Sequence, residues 1–234
     1  MSASSPVALI TGAGRGIGRA AAIELAGAGY ELTLVARNPT DLAETARLAG
    51  RGSIYTLDVT DADGVENCVN ATVFEHGRLD AIVHCAGLAP VKAIDEMTVA
   101  QWREILETNL SAAFYLCRAA WPQFKRQKSG VVVNISSEAS RDPFSGFAAY
   151  GAAKAGVNLF SRSAAREGQA FGVRVHTIAP AAVETEMFRQ ILTTEQYPPE
   201  KTLSPEDVAR IILQCVRGDL AHTSGEVIYL HKTL

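Results

Sequence analysis

Short, nearly unbroken apolar runs alternate along this chain with longer stretches that read as helices. Val7-Ala8-Leu9-Ile10 and Val131-Val132-Val133-Asn134-Ile135 are such runs, and each reads as a buried strand. Strands are expected near residues 6–11, 31–36, 53–57, 80–85, 131–136, 173–179 and 226–230. Helices fill the gaps, with long ones near 98–127 and 147–170. Strict alternation of strand and helix predicts an α/β fold: a doubly wound parallel sheet of about seven strands with helices on both faces. In such sheets ligands bind outside the carboxyl ends of the strands.

Composition narrows the class. The 234 residues suffice for a single domain over 1–234, and no repeat, low-complexity segment or linker divides it. Hydrophobic residues make up 47% and charged residues 20%, as in soluble globular chains. A net charge of −3 leaves no basic footprint for nucleic acid. No apolar run reaches membrane length, and Met1 to Pro6 carries no signal-peptide pattern, so a cytoplasmic location and no membrane partner are expected. Cys68, Cys85, Cys117 and Cys215 show no metal or redox spacing. They read as buried free thiols, and no metal is expected.

The first strand runs directly into Thr11-Gly12-Ala13-Gly14-Arg15-Gly16-Ile17-Gly18, and an Ala-, Ile- and Leu-rich helix from Arg19 to Ala28 follows. Strand, glycine loop and helix form the layout that binds a pyrophosphate, as in Rossmann-like folds. Glycine lets the backbone bend sharply and approach phosphate without a Cβ in the way. The helix N-terminus adds free N–H groups and positive potential.

Tyr150 and Lys154 lie at i and i+4, on one face of a predicted helix. A free tyrosine, with a pKa of ~10, is a poor proton donor or acceptor near neutrality. A neighbouring ammonium stabilises the phenolate and is expected to lower that value, giving an acid/base for a carbonyl/alcohol pair. Alone, Tyr-x-x-x-Lys is more often a solvated helix face.

Together these residues resemble the short-chain dehydrogenase/reductase family over roughly residues 6 to 230. The resemblance implies that Ser137, closing the strand at 131–136 and thirteen residues before Tyr150, is the catalytic serine. It makes Asn109, in Thr108-Asn109-Leu110, the catalytic asparagine of a long helix. Ala179-Pro180-Ala181-Ala182-Val183-Glu184-Thr185 matches the turn that holds the nicotinamide, with Pro180, Val183 and Thr185 as contacts. The family's Asn-Asn-Ala-Gly appears as His84-Cys85-Ala86-Gly87. Ala86 and Gly87 keep the pair that faces the cofactor, whereas loss of both asparagines puts the bonds knitting the central strands in question. His84 reads as a structural substitute. Pro180-Ala181 replaces Pro-Gly, a mild change unless φ must be positive.

NAD-binding members usually carry an acidic residue after the second strand, and here that strand ends Ala36-Arg37. With Arg15 in the glycine loop, two guanidinium groups would suit a 2′-phosphate, so NADP(H) is expected over NAD(H). Both may instead be ordinary surface charges. Asp58-Val59 matches the adenine contact, though Asp58 could equally cap the helix near Asp61. The implied reaction is hydride transfer between nicotinamide and a carbonyl/alcohol. Tyr150 moves the proton, Ser137 orients the oxygen, Lys154 lowers the Tyr150 pKa and holds the ribose, and Asn109 anchors a relay water.

Substrate identity is not legible. Leu88, Phe144, Met187, Phe188 and Leu192 would form apolar walls, or ordinary core. Glu138 would meet a polar substrate group, or simply pair with Arg141. A 3-oxoacyl-carrier-protein reductase is one option: Lys125, Arg126 and Lys128 offer an acidic carrier a dock, or are a plain helix end, and Phe171 stands where a second docking arginine is common. A binding-only sensor or scaffold is the other class, disfavoured by retention of all four catalytic residues. The long helices suggest a homodimer or homotetramer, and the chain lacks a glycine-rich tail before Leu234.

Overall fold

The computed structural model describes residues 5–233. The readings made on Met1 to Ser4 and on Leu234 lie outside the described residues.

Seven strands form one parallel sheet: β1 (Val7–Thr11), β2 (Glu31–Ala36), β3 (Ser53–Thr56), β4 (Ala81–His84), β5 (Gly130–Ile135), β6 (Val173–Pro180) and β7 (Val227–Leu230). Their order is β3-β2-β1-β4-β5-β6-β7, so the winding reverses between β1 and β4. Each strand lies within a residue or two of its expected place.

Both faces of the central strands are buried, and alternate residues feed two separate cores. Ala8 and Ile10 of β1, Ala81 and Val83 of β4, and Val131, Val133 and Ile135 of β5 pack on one side. Helices α1 (Gly16–Gly27), α2 (Pro39–Ala49) and α8 (Pro205–Arg217) cover that side, with Leu25, Leu42 and Ile212 fully buried. Val7, Leu9, Ile82, Val132 and Val175 face the other way. There α3 (Ala62–His76), α5 (Ala112–Gln127) and α6 (Ala148–Gly168) supply Val65, Leu116, Phe124 and Ala164. A strand apolar on both edges of its pleat can be satisfied only inside a sandwich of helices, which is why these runs read as continuous rather than alternating.

The helix ends follow local rules. Asn38, Asp61, Thr98 and Ser204 cap α2, α3, α4 (Val99–Leu106) and α8 with side-chain oxygens. Asp61, not Asp58, caps α3. Asp58 instead accepts from Thr60 N at 3.0 Å, one turn earlier. The helix expected over 98–127 is broken: Glu107–Ser111 forms a π-helical turn between α4 and α5. Such turns occur often at functional sites, and this one holds Asn109.

Among the described residues no helix is long and apolar enough to cross a membrane. None of the four cysteines is in a disulfide: Cys68, Cys117 and Cys215 are buried and Cys85 half-buried. Burial pushes all four thiols up to about 12, which keeps them protonated. No cluster of three potential metal ligands exists among the described residues.

Candidate active site

The loop after β1 is fixed by backbone contacts that leave no room for side chains. A Cβ on Gly18 would lie 2.2 Å from the Gly12 carbonyl oxygen, and one on Gly12 would lie 2.7 Å from Ala86 N. Gly12 and Gly16 also have φ of +65° and +54°, the left-handed region that glycine adopts without strain. α1 therefore starts at Gly16 rather than at Arg19: the glycines are its first turn. Unlike α2, α3, α4 and α8, this helix has no side-chain cap, because its N-cap residue is Arg15. The first-turn N–H groups, those of Ile17 and Gly18 included, thus face a cradle that suits an anionic group.

The loop is braced from behind. Thr45 on α2 donates its hydroxyl to the Ala13 carbonyl at 2.9 Å and accepts from Arg19 Nε at 3.0 Å. Arg19 also donates to the Gly14 carbonyl. A Cβ on Gly14 would meet Asp41 Cβ at 2.9 Å and Ala36 Cβ at 3.6 Å, so these two residues border the loop. Thr45, Arg19 and Asp41 were not singled out in the sequence, because long-range contacts leave no spacing signal.

The two arginines expected to suit a 2′-phosphate are each paired. Arg15 meets Glu186 at 2.5 Å, and Arg37 meets Asp58 at a looser 3.8 Å. All four side chains are largely exposed, so neither pair is strong. Val59, beside Asp58, is buried. Thr185 reaches the loop from the far side: its Cγ2 would lie 3.2 Å from a Cβ at Gly16. It caps the short α7 (Glu186–Arg189) by accepting from Phe188 N at 3.2 Å, and it donates to the Val183 carbonyl at 3.3 Å. The cap and contact readings of Thr185 are thus compatible. Pro180 ends β6, and Ala181 needs no positive φ, so losing the glycine there costs nothing.

Ser137, Tyr150 and Lys154 come together where β5 ends. Ser137 follows Ile135-Ser136 and caps a single 3₁₀ turn (Glu138–Ser140), accepting from Ala139 N at 3.2 Å. Its side chain stands near enough to the Tyr150 phenol to pull the phenol pKa down. Lys154 lies one turn beyond Tyr150 on α6, with Nζ 5.7 Å from the phenol ring centre. Nζ donates to the Ile135 carbonyl at 2.8 Å.

The expected depression of the Tyr150 pKa is not what this geometry gives. Burial raises it above 10, and the neighbouring Ser137 hydroxyl offsets only part of that. Lys154 is occupied by the Ile135 carbonyl and is itself only 4% exposed. Burial pushes it down to about 8, with Cys85 pulling slightly the other way.

Asn109 is fully buried and acts first as a brace. Its amide donates to the carbonyls of Leu88 at 2.9 Å and Ile105 at 3.0 Å. Its oxygen accepts from Leu88 N at 3.3 Å. The π-helical turn sets this arrangement. The expected relay water would find no donor left on this side chain, only a remaining lone pair on Oδ1. Oδ1 and Lys154 Nζ both border Gly87, at 2.7 and 3.6 Å from where its Cβ would stand. Glycine there is what lets the two side chains approach the same space.

His84 replaces the lost asparagine bond. Its Nδ1 lies 2.8 Å from Thr11 Oγ1, joining β4 to β1, and Cys85 N adds a bond to the Thr11 carbonyl at 3.2 Å. Burial, reinforced by Lys154, holds His84 down to about 3, so it is neutral and structural. Thr11, His84, Asn134 and Thr177 are register neighbours across four strands, and Asn134 ties the row to Ser161 of α6 at 2.9 Å.

Of the expected walls, Leu88, Met187, Phe188 and Leu192 are half-buried, whereas Phe144 is 69% exposed. Phe147, not foreseen, packs on Tyr150 with ring centres 5.5 Å apart.

The model of short chain dehydrogenases matches residues 6–196. The 3-oxoacyl-(acyl-carrier-protein) reductase FabG of Vibrio cholerae serotype O1 is 32% identical over 99% of this chain and 98% of its own. The acetoacetyl-CoA reductase of Shinella zoogloeoides is 31% identical over 96% of both chains. A short-chain type dehydrogenase/reductase from Mycobacterium ulcerans superposes with a TM-score of 0.91 at 29% identity, covering 98% of this chain and 90% of that one. ElxO, solved with NADP bound, gives 0.89 at 25% identity over 96% of both.

Proposed function

The chain belongs to the short-chain dehydrogenase/reductase family and is an oxidoreductase, and from that premise we propose an NADP(H)-dependent carbonyl reductase with Tyr150 as its acid. The observation that carries this reading is the convergence of Ser137 and buried Lys154 on the Tyr150 phenol, with Lys154 Nζ 5.7 Å from its ring centre.

The glycine cradle, the uncapped start of α1 and the side chains of Thr11, Thr185, Asp58 and Arg37 would hold the dinucleotide, and Ala86, Gly87, Pro180 and Val183 would border its nicotinamide half. When bound, NADP(H) supplies hydride transfer at the nicotinamide ring. The protein's residues handle the proton. Burial keeps Tyr150 protonated until a carbonyl oxygen presents itself, and the phenol donates to that oxygen. Ser137, beside the phenol, orients the same oxygen. The Lys154 ammonium stabilises the phenolate left behind. Asn109 holds Leu88 and the π-helical turn against Gly87, keeping that side of the site rigid.

NADP(H) is favoured over NAD(H) because Ala36 leaves the end of β2 without a carboxylate and Arg37 stands beside it, exposed and only loosely paired. Asp58 and Asp41 border the same region, so the preference rests on how far Arg37 leaves its partner. The NADP carried by ElxO agrees with this choice.

A second reading, a 3-oxoacyl thioester delivered by an acidic carrier, is favoured by the V. cholerae relative. Lys125, Arg126 and Lys128 are exposed at the end of α5. Lys125, however, lies over the Phe171 ring at 4.7 Å, and Lys128 closes the helix in a left-handed cap. A cytoplasmic homodimer or homotetramer goes with either reading, since α5 and α6 expose Phe114 and Leu159 at 48% and 69%.

NADPH oxidation, with NADH in parallel, tests the proposal against aromatic aldehydes, α-diketones, cyclic ketones and a 3-oxoacyl thioester. Turnover is expected, with Tyr150→Phe losing about 10²–10⁴-fold of it while NADPH binding persists. Tight NADPH binding with no turnover on any carbonyl would favour the sensor class.

A further inference from the structure

Glu138 follows Ser137 directly, and its carboxylate points away from the phenol toward the C-terminal segment. Oε1 accepts from Arg141 Nε at 2.7 Å, and Oε2, shielded from solvent, lies 3.4 Å from His231 Nε2. Arg141 also reaches His231, with 3.2 Å between Nη2 and Nε2. Its guanidinium stacks on Tyr229 of β7, 3.8 Å from the ring centre. The Tyr229 hydroxyl lies 3.4 Å from Ser140 Oγ, and Ser140 accepts from Asn158 of α6 at 2.9 Å.

The turn capped by Ser137 is thus gripped on two sides. α6, which also carries Tyr150 and Lys154, holds it through Asn158. The C-terminal segment holds it through Tyr229 and His231. Tyr229 is fixed in turn by its register with Ala179 of β6. Because the Ser137 hydroxyl accepts from Ala139 N within this turn, its direction toward Tyr150 follows the turn's geometry. A carboxylate one residue from Ser137 that makes two contacts outward and none with the phenol is placed to aim the serine rather than to bind a reactant.

We propose that Tyr229–His231 is a clasp on the Ser137 turn, with Glu138, Arg141 and His231 as positioning residues for proton transfer. This rests on the assignment of Ser137 and Tyr150 as the reacting pair. The cluster lies partly exposed, and exposed ion pairs contribute little to stability. Its loss therefore loosens the turn without unfolding the sheet.

The test compares Glu138→Gln, His231→Ala and His231→Gln in the full chain. Glu138→Gln and His231→Ala are expected to lower kcat about tenfold, as small misplacements of a reacting group do, with the KM for NADPH unchanged. The isotope effect with 4-deuterated NADPH should rise, because the reacting step becomes more rate-limiting. Backbone hydrogen exchange over 137–141 should quicken while α8 stays as before. His231→Gln, which keeps both an acceptor for Arg141 and a donor for Glu138, should recover part of kcat. Wild-type kcat, isotope effect and exchange in both disruptive variants would overturn the clasp. So would a kcat loss matched by equal loss of bound NADPH and of melting temperature. If the wild type reduces no carbonyl, the enzyme reading fails, and exchange over 137–141 still decides the clasp. Should Glu138→Gln not fold, His231→Ala on the exposed tail carries the test.

Discussion

The glycine loop after β1 and the serine–tyrosine wall after β5 both lie at strand carboxyl ends, but they are held by different forces. The loop is a backbone object. Its limits are distances such as 2.2 Å from a Gly18 Cβ to the Gly12 carbonyl, and its polar groups are N–H donors that no side chain caps. The wall is a side-chain object. Lys154 is buried and bonded to a carbonyl, Ser137 and Tyr150 are half-buried, and two of the three are displaced in pKa: Tyr150 upward, Lys154 down to about 8. A loop of that kind fails sterically and all at once, whereas a wall of that kind fails electrostatically and with pH.

The sharpest break on the loop side is Gly18→Ala. The added Cβ meets backbone that is itself fixed by Ala86, so relaxation must move the loop. Overpacking of this sort costs ~1–3 kcal/mol. NADPH affinity, measured by fluorescence titration, is expected to fall about 10–100-fold or more, since the first-turn N–H groups move with the loop. Affinity within twofold of wild type would refute the cradle.

On the wall side the expected break is with pH. Buried Lys154 has its folded pKa below the unfolded value of 10.5, so the native state holds fewer protons there between about 8 and 10.5. Its contribution to stability therefore rises as pH climbs through about 8, while the charge that steadies the Tyr150 phenolate is lost. Reductive kcat should begin to fall near pH 8, before the four buried thiols, held up to about 12 in the fold but ionising near 9 in the unfolded chain, draw the denaturant midpoint down at higher pH. In Lys154→Arg, whose guanidinium does not titrate there, the residual activity should lose this alkaline limb. A kcat that stays level until the denaturant midpoint also falls would remove the assignment.

The contrast also explains what was legible. Glycine spacing exposes a backbone object, so the loop, the seven strands and the order of motifs are readable from residues alone. Tyr150 and Lys154 were readable from their helical spacing, whereas Ser137 was legible only through the family resemblance, thirteen residues before Tyr150. The π-helical turn around Asn109 was not, since nothing in Glu107–Ser111 forbids an ordinary helix and the amide's partners at Leu88 lie twenty-one residues away. The direction of the Tyr150 shift was misjudged for a similar reason. A helical i, i+4 spacing brings the ammonium near but cannot show that Ile135 takes its proton donor or that burial outweighs it. The pairing of Arg15 with Glu186 and of Arg37 with Asp58 was not legible, because those partners meet only through the fold.

A smaller effect separates the two kinds of contact within cofactor recognition. Arg37→Ala removes a side-chain grip and leaves the cradle intact. A charge-assisted bond of ~1.5–3 kcal/mol corresponds to about 10–100-fold in the KM for NADPH. The KM for NADH should stay within about twofold. Equal loss for both dinucleotides would place Arg37 in the structure rather than in the choice of cofactor.

The smallest effect uses a glycine from the same helix as Gly18. Gly27 ends α1 with a negative φ, and a Cβ built there meets nothing within 4 Å. Adding it restricts the unfolded chain and improves helix propensity without a clash, worth at most ~1 kcal/mol. For a domain of this size that is about 2–4 °C in Tm. Gly27→Ala should thus raise Tm slightly and leave NADPH affinity at the wild-type value. If Gly27→Ala and Gly18→Ala weakened NADPH alike, the loss would reflect α1 as a whole, and the claim that close backbone approach at Gly18 builds the cradle would fall.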